Sequence, residues 1–338
     1  MWQGIHGHDA VAEHFCQVLA QGRLASSYLF LGPAGVGKRT FAEKLAQGLL
    51  CPDRESGKLD PCGNCKSCQL FATGSHPDLE LVRLPDGKQR LPVELFIGDR
   101  NHRNQEGLCH NIALRALLGT RRVAIIDDAD HFTTESSNSL LKTLEEPPRG
   151  ALLILIGTNR SRQLPTILSR TQVVRFKPLP TEVIRELLLQ QQIAPDEAQA
   201  DLLAGASEGS LKKATDLADP ELWEMQRRML PQLTSGHLDS VRLAAELAAF
   251  VNLTGKEAHA RRQRLRAVFR MVTAQSRAIL RASGGVDPDS EERALAVLDR
   301  CLEAEVALDR NANQATLLEC WLDDLSKILE VDTVANAQ

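Results

Sequence analysis

Apolar residues in the first half of the chain fall in short, nearly unbroken runs: Tyr28-Leu29-Phe30-Leu31, Val123-Ala124-Ile125-Ile126, Ala151 to Ile156, and the weaker Gln172-Val173-Val174-Arg175-Phe176. Each run is too short for a helix and lacks the polar alternation of a half-wet strand, so together they predict buried strands. Helical stretches separate them, which is the pattern of an α/β domain built around a mostly parallel sheet. From residue 181 onward strand-like runs vanish. Segments such as Thr181 to Gln191 and Val241 to Val251 repeat apolar residues at spacings of three and four, as amphipathic helices do. Pro178 and Pro180 punctuate the first change of pattern, and Asp219-Pro220 marks a second. The expected organisation is an α/β domain over 1–178, a small helical unit over 179–219, and a larger helical domain over 220–338. No short-period repeat or low-complexity tract interrupts it, and the polar tail over 331–338 is expected to fray.

Composition narrows the class without changing that plan. Of the 338 residues, 43% are apolar and 25% charged, and no window offers the roughly 20 uncharged apolar residues of a membrane span. The N-terminus lacks the basic, apolar and small-residue segments of a secretory signal, so no membrane association is expected and the cytoplasm is the expected compartment. A net charge of −4 does not suggest tight, whole-molecule attraction to nucleic acid.

Candidate chemistry begins at the end of the first strand. Gly32-Pro33-Ala34-Gly35-Val36-Gly37-Lys38 follows Leu31 and precedes a helix with Phe41, Leu45 and Leu49 on one face. Strand, glycine loop and helix in that order make a phosphate-binding loop. Gly32, Gly35 and Gly37 let backbone N–H groups close on phosphate oxygens, and Lys38 reaches the terminal phosphates of ATP. A glycine turn holding no nucleotide is the plainer alternative. The residue after the lysine departs from the pattern: a Mg²⁺ ligand there should be Ser or Thr, but Arg39 occupies it and Thr40 is displaced by one position, about 100° around the helix. Nucleotide binding can survive this change more readily than hydrolysis.

Asp127 and Asp128 end the Val123–Ile126 strand, where Asp127 would hold a metal through water. A Glu at the second position would orient the attacking water, and Asp128 is one methylene too short for it. Thr158 and Asn159 end the next strand and could sense a terminal phosphate.

Four of the eight cysteines, Cys51, Cys62, Cys65 and Cys68, form C-x10-C-x2-C-x2-C, with Pro61, Gly63 and Asn64 supplying tight turns. Four thiolates match the tetrahedral preference of a structural Zn²⁺; an iron–sulfur cluster is the alternative.

Taken together, the glycine loop, Ile125-Ile126-Asp127-Asp128-Ala129-Asp130, Leu140 to Pro148 (LLKTLEEPP) and Leu164 to Arg170 (LPTILSR) resemble the clamp-loader branch of the AAA+ proteins. The resemblance is good over about 220 residues and extends beyond them only in helical character. A cysteine cluster after the loop helix, followed by His76-Pro77-Asp78, is similar to the delta-prime and gamma/tau types of bacterial DNA polymerase III subunit. It implies a P-loop AAA+ domain with an inserted zinc knuckle over 51–68, a helical lid, and an all-α collar that holds subunits together. Gamma/tau and delta subunits are the implied partners, with the sliding clamp and primer–template DNA met through the complex. Arg170 matches the arginine that reaches into a neighbouring subunit's ATP site, with Thr171 where the family usually has Cys. Lys212 stands where the lid usually carries an Arg that contacts the terminal phosphate.

The residues thus leave two readings: a largely static subunit lending Arg170 in trans, and an ATP-hydrolysing gamma/tau-type motor. Arg39, Asp128 and Lys212 each depart from what a motor needs, whereas Arg170 does not. A chain of this length is expected to end at the collar without a further extension, which points the same way. Finally, residues 261–281 carry seven arginines around Leu265, Val268, Phe269 and Val272. That helix is either a nucleic-acid patch or, more commonly for such a pattern, a buried stripe with a charged outer face.

Overall fold

The computed structural model describes residues 2–55, 58–85, 87–255, 258–283, 287–310 and 312–330, so the polar tail lies outside the described residues. The chain divides into two compact units, Met1–Leu187 with Glu208–Lys212, and Leu188–Ser207 with Lys213–Gln338.

The first unit is built on five strands: β1 (Ser27–Leu31), β2 (Leu79–Val82), β3 (Arg122–Ile126), β4 (Ala151–Gly157) and β5 (Gln172–Arg175). Their order is β2-β3-β4-β1-β5, and every pairing is parallel. Alternation along β1 sorts its side chains between two cores. Tyr28 and Phe30 pack with Phe15, Phe41 and Leu45 from α1 (Asp9–Ala20) and α2 (Lys38–Leu50). Leu29 and Leu31 face the other side, which α4 (Glu94–Ile97), α5 (Leu108–Ala113), α6 (Thr134–Glu145) and α7 (Pro165–Leu168) fill through Phe96, Leu108, Leu140 and Ile167, whereas α3 (Lys66–Ala72) packs Phe71 against the first core. Burial on both faces is why these strands read as continuous apolar runs. β2 is the strand that apolar runs alone do not disclose. It is an edge strand, and it carries Glu80 and an exposed Leu81.

Local signals place α6. Thr133 caps it, its Oγ1 accepting the Ser136 N–H at 3.0 Å while its own N–H donates to the Ser136 Oγ at 2.9 Å. Leu140 and Leu144 are buried, and Pro147-Pro148 follow the helix end, where a helix cannot continue.

The helix α8 (Thr181–Gln190) carries the chain from one unit to the next, and α9 (Glu197–Ala206) and α10 (Leu211–Leu217) follow. Besides α9 and most of α10, the second unit contains α11 (Pro220–Ser235), α12 (Ser240–Asn252), α13 (Ala258–Ser283), α14 (Pro288–Asp309) and α15 (Gln314–Glu330). Trp321 and Phe269 form its centre, with rings 4.8 Å apart and edge to face, and Leu247, Leu265, Leu322 and Leu325 surround them. The arginine-rich helix is α13. Leu265, Val268, Phe269 and Val272 are all buried, and its arginines pair within the unit: Arg264 with Asp219 and Glu221, Arg266 with Asp309, and Arg270 with Glu305. Those pairs favour the buried-stripe reading over a nucleic-acid patch. Among the described residues, no helix is long and apolar enough to cross a membrane.

Candidate nucleotide site and metal centre

The glycine loop leaves β1 and enters α2 through two left-handed glycines, Gly35 at φ +75° and Gly37 at φ +95°. Residues with a Cβ rarely adopt such angles. Gly37 faces open space, whereas a Cβ on Gly35 would collide with the Lys212 Cβ and the Ser210 Oγ. The Gly35 carbonyl also accepts the Leu211 N–H at 3.1 Å, so the segment Glu208–Lys212 packs directly on the loop. Below it, the neutral His8 ring donates Nε2–H to the Val36 carbonyl at 2.7 Å and meets Phe176 edge-on; burial lowers its pKa.

Lys38 is 6% exposed, and its Nζ donates to the carbonyls of Gly32 and Pro33, both at 2.6 Å. Burial pulls its pKa down, against the opposing pull of Asp127 and Asp130. At the end of β3, burial and then the neighbouring Asp128 raise the Asp127 pKa, opposed by Arg39 and Lys38. Arg39 is the unforeseen neighbour. Its Nε bonds Glu43 one helical turn on at 2.8 Å, and its Nη1 lies 3.7 Å from the Asp127 carboxylate.

The remaining residues read from the sequence are distributed differently. Thr40 is exposed. Asp128 sits at φ +60°, and its carboxylate accepts the Leu84 N–H at 3.4 Å. Thr158 donates its N–H and hydroxyl to Asp130, at 2.8 and 2.6 Å, and Gln163 donates to the other oxygen of the same carboxylate. Asn159 caps a turn by accepting the Ser161 N–H. Asp130 therefore ties the ends of β3 and β4 together, a role that sequence reading missed. Its position three residues beyond Asp127 was the available signal, just as the four-residue spacing of Arg39 and Glu43 was for theirs.

These residues suit a nucleotide's phosphates but not Mg²⁺. The loop offers backbone N–H groups, a helix N-terminus and lysine. Mg²⁺ requires oxygen ligands in a near-octahedral shell, and at the position that should provide a hydroxyl a guanidinium approaches Asp127 instead.

Arg170 follows α7. Its Nε and Nη2 bond Glu145 at 2.8 and 2.5 Å, and its Nη1 donates to the Thr166 carbonyl and the Ser169 Oγ, both at 3.1 Å. Because β5 pairs with β1 in parallel, Tyr28 opposite Gln172, Arg170 lies level with the start of β1, whereas the glycine loop follows its end. About six residues of strand at roughly 3.3 Å each put some 20 Å between them along the sheet.

The four cysteine sulfurs all lie within 4.8 Å of one another, with Cys51–Cys65 at 3.9 Å and Cys62–Cys68 at 4.0 Å. A tetrahedral ion with metal–sulfur bonds of about 2.3 Å needs sulfur–sulfur edges of about 3.8 Å. The set fits one such ion. Backbone N–H groups of Cys62, Cys65 and Cys68 point at the sulfurs of Cys51, Cys62 and Cys65, each at 3.4 Å, as suits thiolates. The knuckle is braced from below. His76 Nδ1 accepts the Asp78 N–H, so its Nε2–H donates to Ser67 at 2.8 Å, and Ser67 donates to the Leu50 carbonyl beside Cys51. Ser67→Ala should cost about 1–2 kcal/mol, since it strands a buried imidazole N–H; urea unfolding measures it, and an unchanged midpoint would refute the brace.

Residues 7–180 match the family model described as DNA polymerase III, delta subunit. The chain belongs to that family. Curated relatives agree: it is 34% identical over 177 residues to the delta-prime subunit of Bacillus subtilis, covering 52% of this chain and 50% of that one. It is 36% identical over 182 residues to delta-prime of Pseudomonas aeruginosa, covering 53% and 52%. It is also 33% identical over 258 residues to the tau subunit of Escherichia coli, covering 74% of this chain and 38% of that one. The matched region thus spans about half the length of the delta-prime relatives. Among solved structures, a gamma subunit-related protein of Thermotoga maritima superposes with a TM-score of 0.51 over 94% of this chain and 99% of its own, at 18% identity. That likeness supports the fold alone. The chain is a delta-prime-like member of the DNA polymerase III clamp-loader subunits.

Proposed function

We propose that this chain is the static partner in a clamp loader: it assembles with gamma/tau and delta subunits, helps load the sliding clamp on primed DNA, and lends Arg170 to a neighbour's ATP site. The observation that carries this reading is the place of Arg170 at the opposite end of the parallel sheet from the chain's own glycine loop. An arginine spans about 7 Å, a third of the roughly 20 Å separation along the strands. It is thus suited to a site outside its own chain, where a guanidinium stabilises charge developing on a transferred phosphoryl group.

The motor reading, favoured by the longer alignment with tau, meets the pairing of Arg39 with Asp127 at the metal position. The proposed domain roles follow: 1–178 as the AAA+ domain, 179–219 as the lid, and 220–338 as the collar. The purified chain alone is expected to show no ATP turnover above background in a coupled assay. Turnover at the roughly 1 s⁻¹ or more typical of working enzymes would establish the motor instead. We further propose that Cys51, Cys62, Cys65 and Cys68 hold Zn²⁺, which would supply a rigid cross-link and no catalysis.

A further inference from the structure

The disagreement between the glycine loop and Mg²⁺ has a chemical consequence. Arg39 stands at the position of the missing hydroxyl, with Glu43 holding Nε at 2.8 Å and Asp127 drawing Nη1 to 3.7 Å. Its Nη2 makes no hydrogen bond among the described residues. Asp127, the carboxylate that would face the metal, already has a cation beside it, and Thr40, the nearest hydroxyl in sequence, is exposed. A divalent ion would have to displace a guanidinium and would find one carboxylate in place of a ligand pair. Yet the parts that bind phosphate are intact: left-handed Gly35 and Gly37, the N-terminus of the 13-residue α2, and the buried Lys38. The Lys212 Cβ and backbone N pack against Gly35, so the Glu208–Lys212 segment closes one side of the same loop.

We propose that the loop binds a nucleoside triphosphate without a divalent metal, the Arg39 guanidinium taking the metal's place beside Asp127. The proposal rests on reading the loop as a nucleotide site that does not turn over. Free triphosphate carries the charge that Mg²⁺ would otherwise neutralise, and a guanidinium can meet phosphate oxygens through two N–H groups at once. A guanidinium cannot supply the water-ordering, octahedral coordination of the metal, so the bound nucleotide serves as a fixed component. Its phosphates would hold the loop and the Glu208–Lys212 segment together.

The test is calorimetric titration of the intact chain with ATP, in Mg²⁺ and in EDTA. Affinities agreeing within about twofold are expected for the wild type. For Arg39→Thr, which restores a hydroxyl, affinity should become at least about tenfold stronger with Mg²⁺ than without, a 1.4 kcal/mol difference. Lys38→Ala should lose binding in both buffers while keeping its circular dichroism spectrum. Wild-type binding that requires Mg²⁺, no binding in either buffer, or an Arg39→Thr variant still indifferent to Mg²⁺ would each overturn the proposal. None of these outcomes bears on Arg170, whose reading is tested by turnover in a neighbouring subunit.

Discussion

Replacing Arg170 with alanine is expected to slow ATP turnover at the neighbouring site by about 10³-fold, the lower end of what a trans-acting arginine contributes to phosphoryl transfer. DNA-stimulated turnover of the reconstituted complex, read in single-turnover mode, measures it, and gel filtration checks that assembly survives. The variant should fold normally. Arg170 is partly exposed and, among the described residues, its guanidinium bonds Glu145, Thr166 and Ser169; an exposed ion pair is worth about 0–1 kcal/mol. Arg170→Lys should recover little, because a lysine keeps the charge and loses the planar fork. Turnover equal to wild type in an intact complex would remove Arg170 from the chemistry.

Removing the metal should be the largest perturbation of stability. With free zinc a thousandfold above its dissociation constant, binding stabilises the folded chain by about 4 kcal/mol, and a change of that size in a domain of 150–250 residues moves Tm by about 8–16 °C. Metal analysis should return one zinc per chain and little iron. A strong chelator, or Cys68→Ser, should then lower Tm by that amount. A chain that purifies without metal and melts at the same temperature in chelator would refute the zinc assignment. An absorbance band near the visible, with iron in place of zinc, would point to a cluster instead.

The sheet was readable in the sequence because parallel strands buried on both faces cannot hide among polar residues: Tyr28–Leu31 and Ala151–Ile156 have no wet side. β2 escaped notice for the opposite reason. As an edge strand it can keep Glu80 in contact with Asn111 and leave Leu81 exposed, so its four residues make no apolar run. The glycine loop and the cysteine knuckle were legible because spacing along the chain nearly dictates their geometry. The partners of the loop were not. That Arg39 turns to Asp127, that Thr158 is held by Asp130, and that Asp128 turns to Leu84 all depend on contacts between strand ends far apart in sequence. Residue type alone suggested that Arg39 interferes with metal binding; only the distance to Asp127 shows what it does instead.

The pairing of Glu145 with Arg170 bears on how such a finger would be handed over. On the reading in which Arg170 serves a neighbour, it arrives already aimed, with three of its nitrogens engaged and its side-chain freedom largely surrendered beforehand. Exchanging a solvated carboxylate for phosphoryl oxygens in a closed site is then a change of partner. Little ordering remains to oppose it, and the carboxylate it leaves behind returns to water.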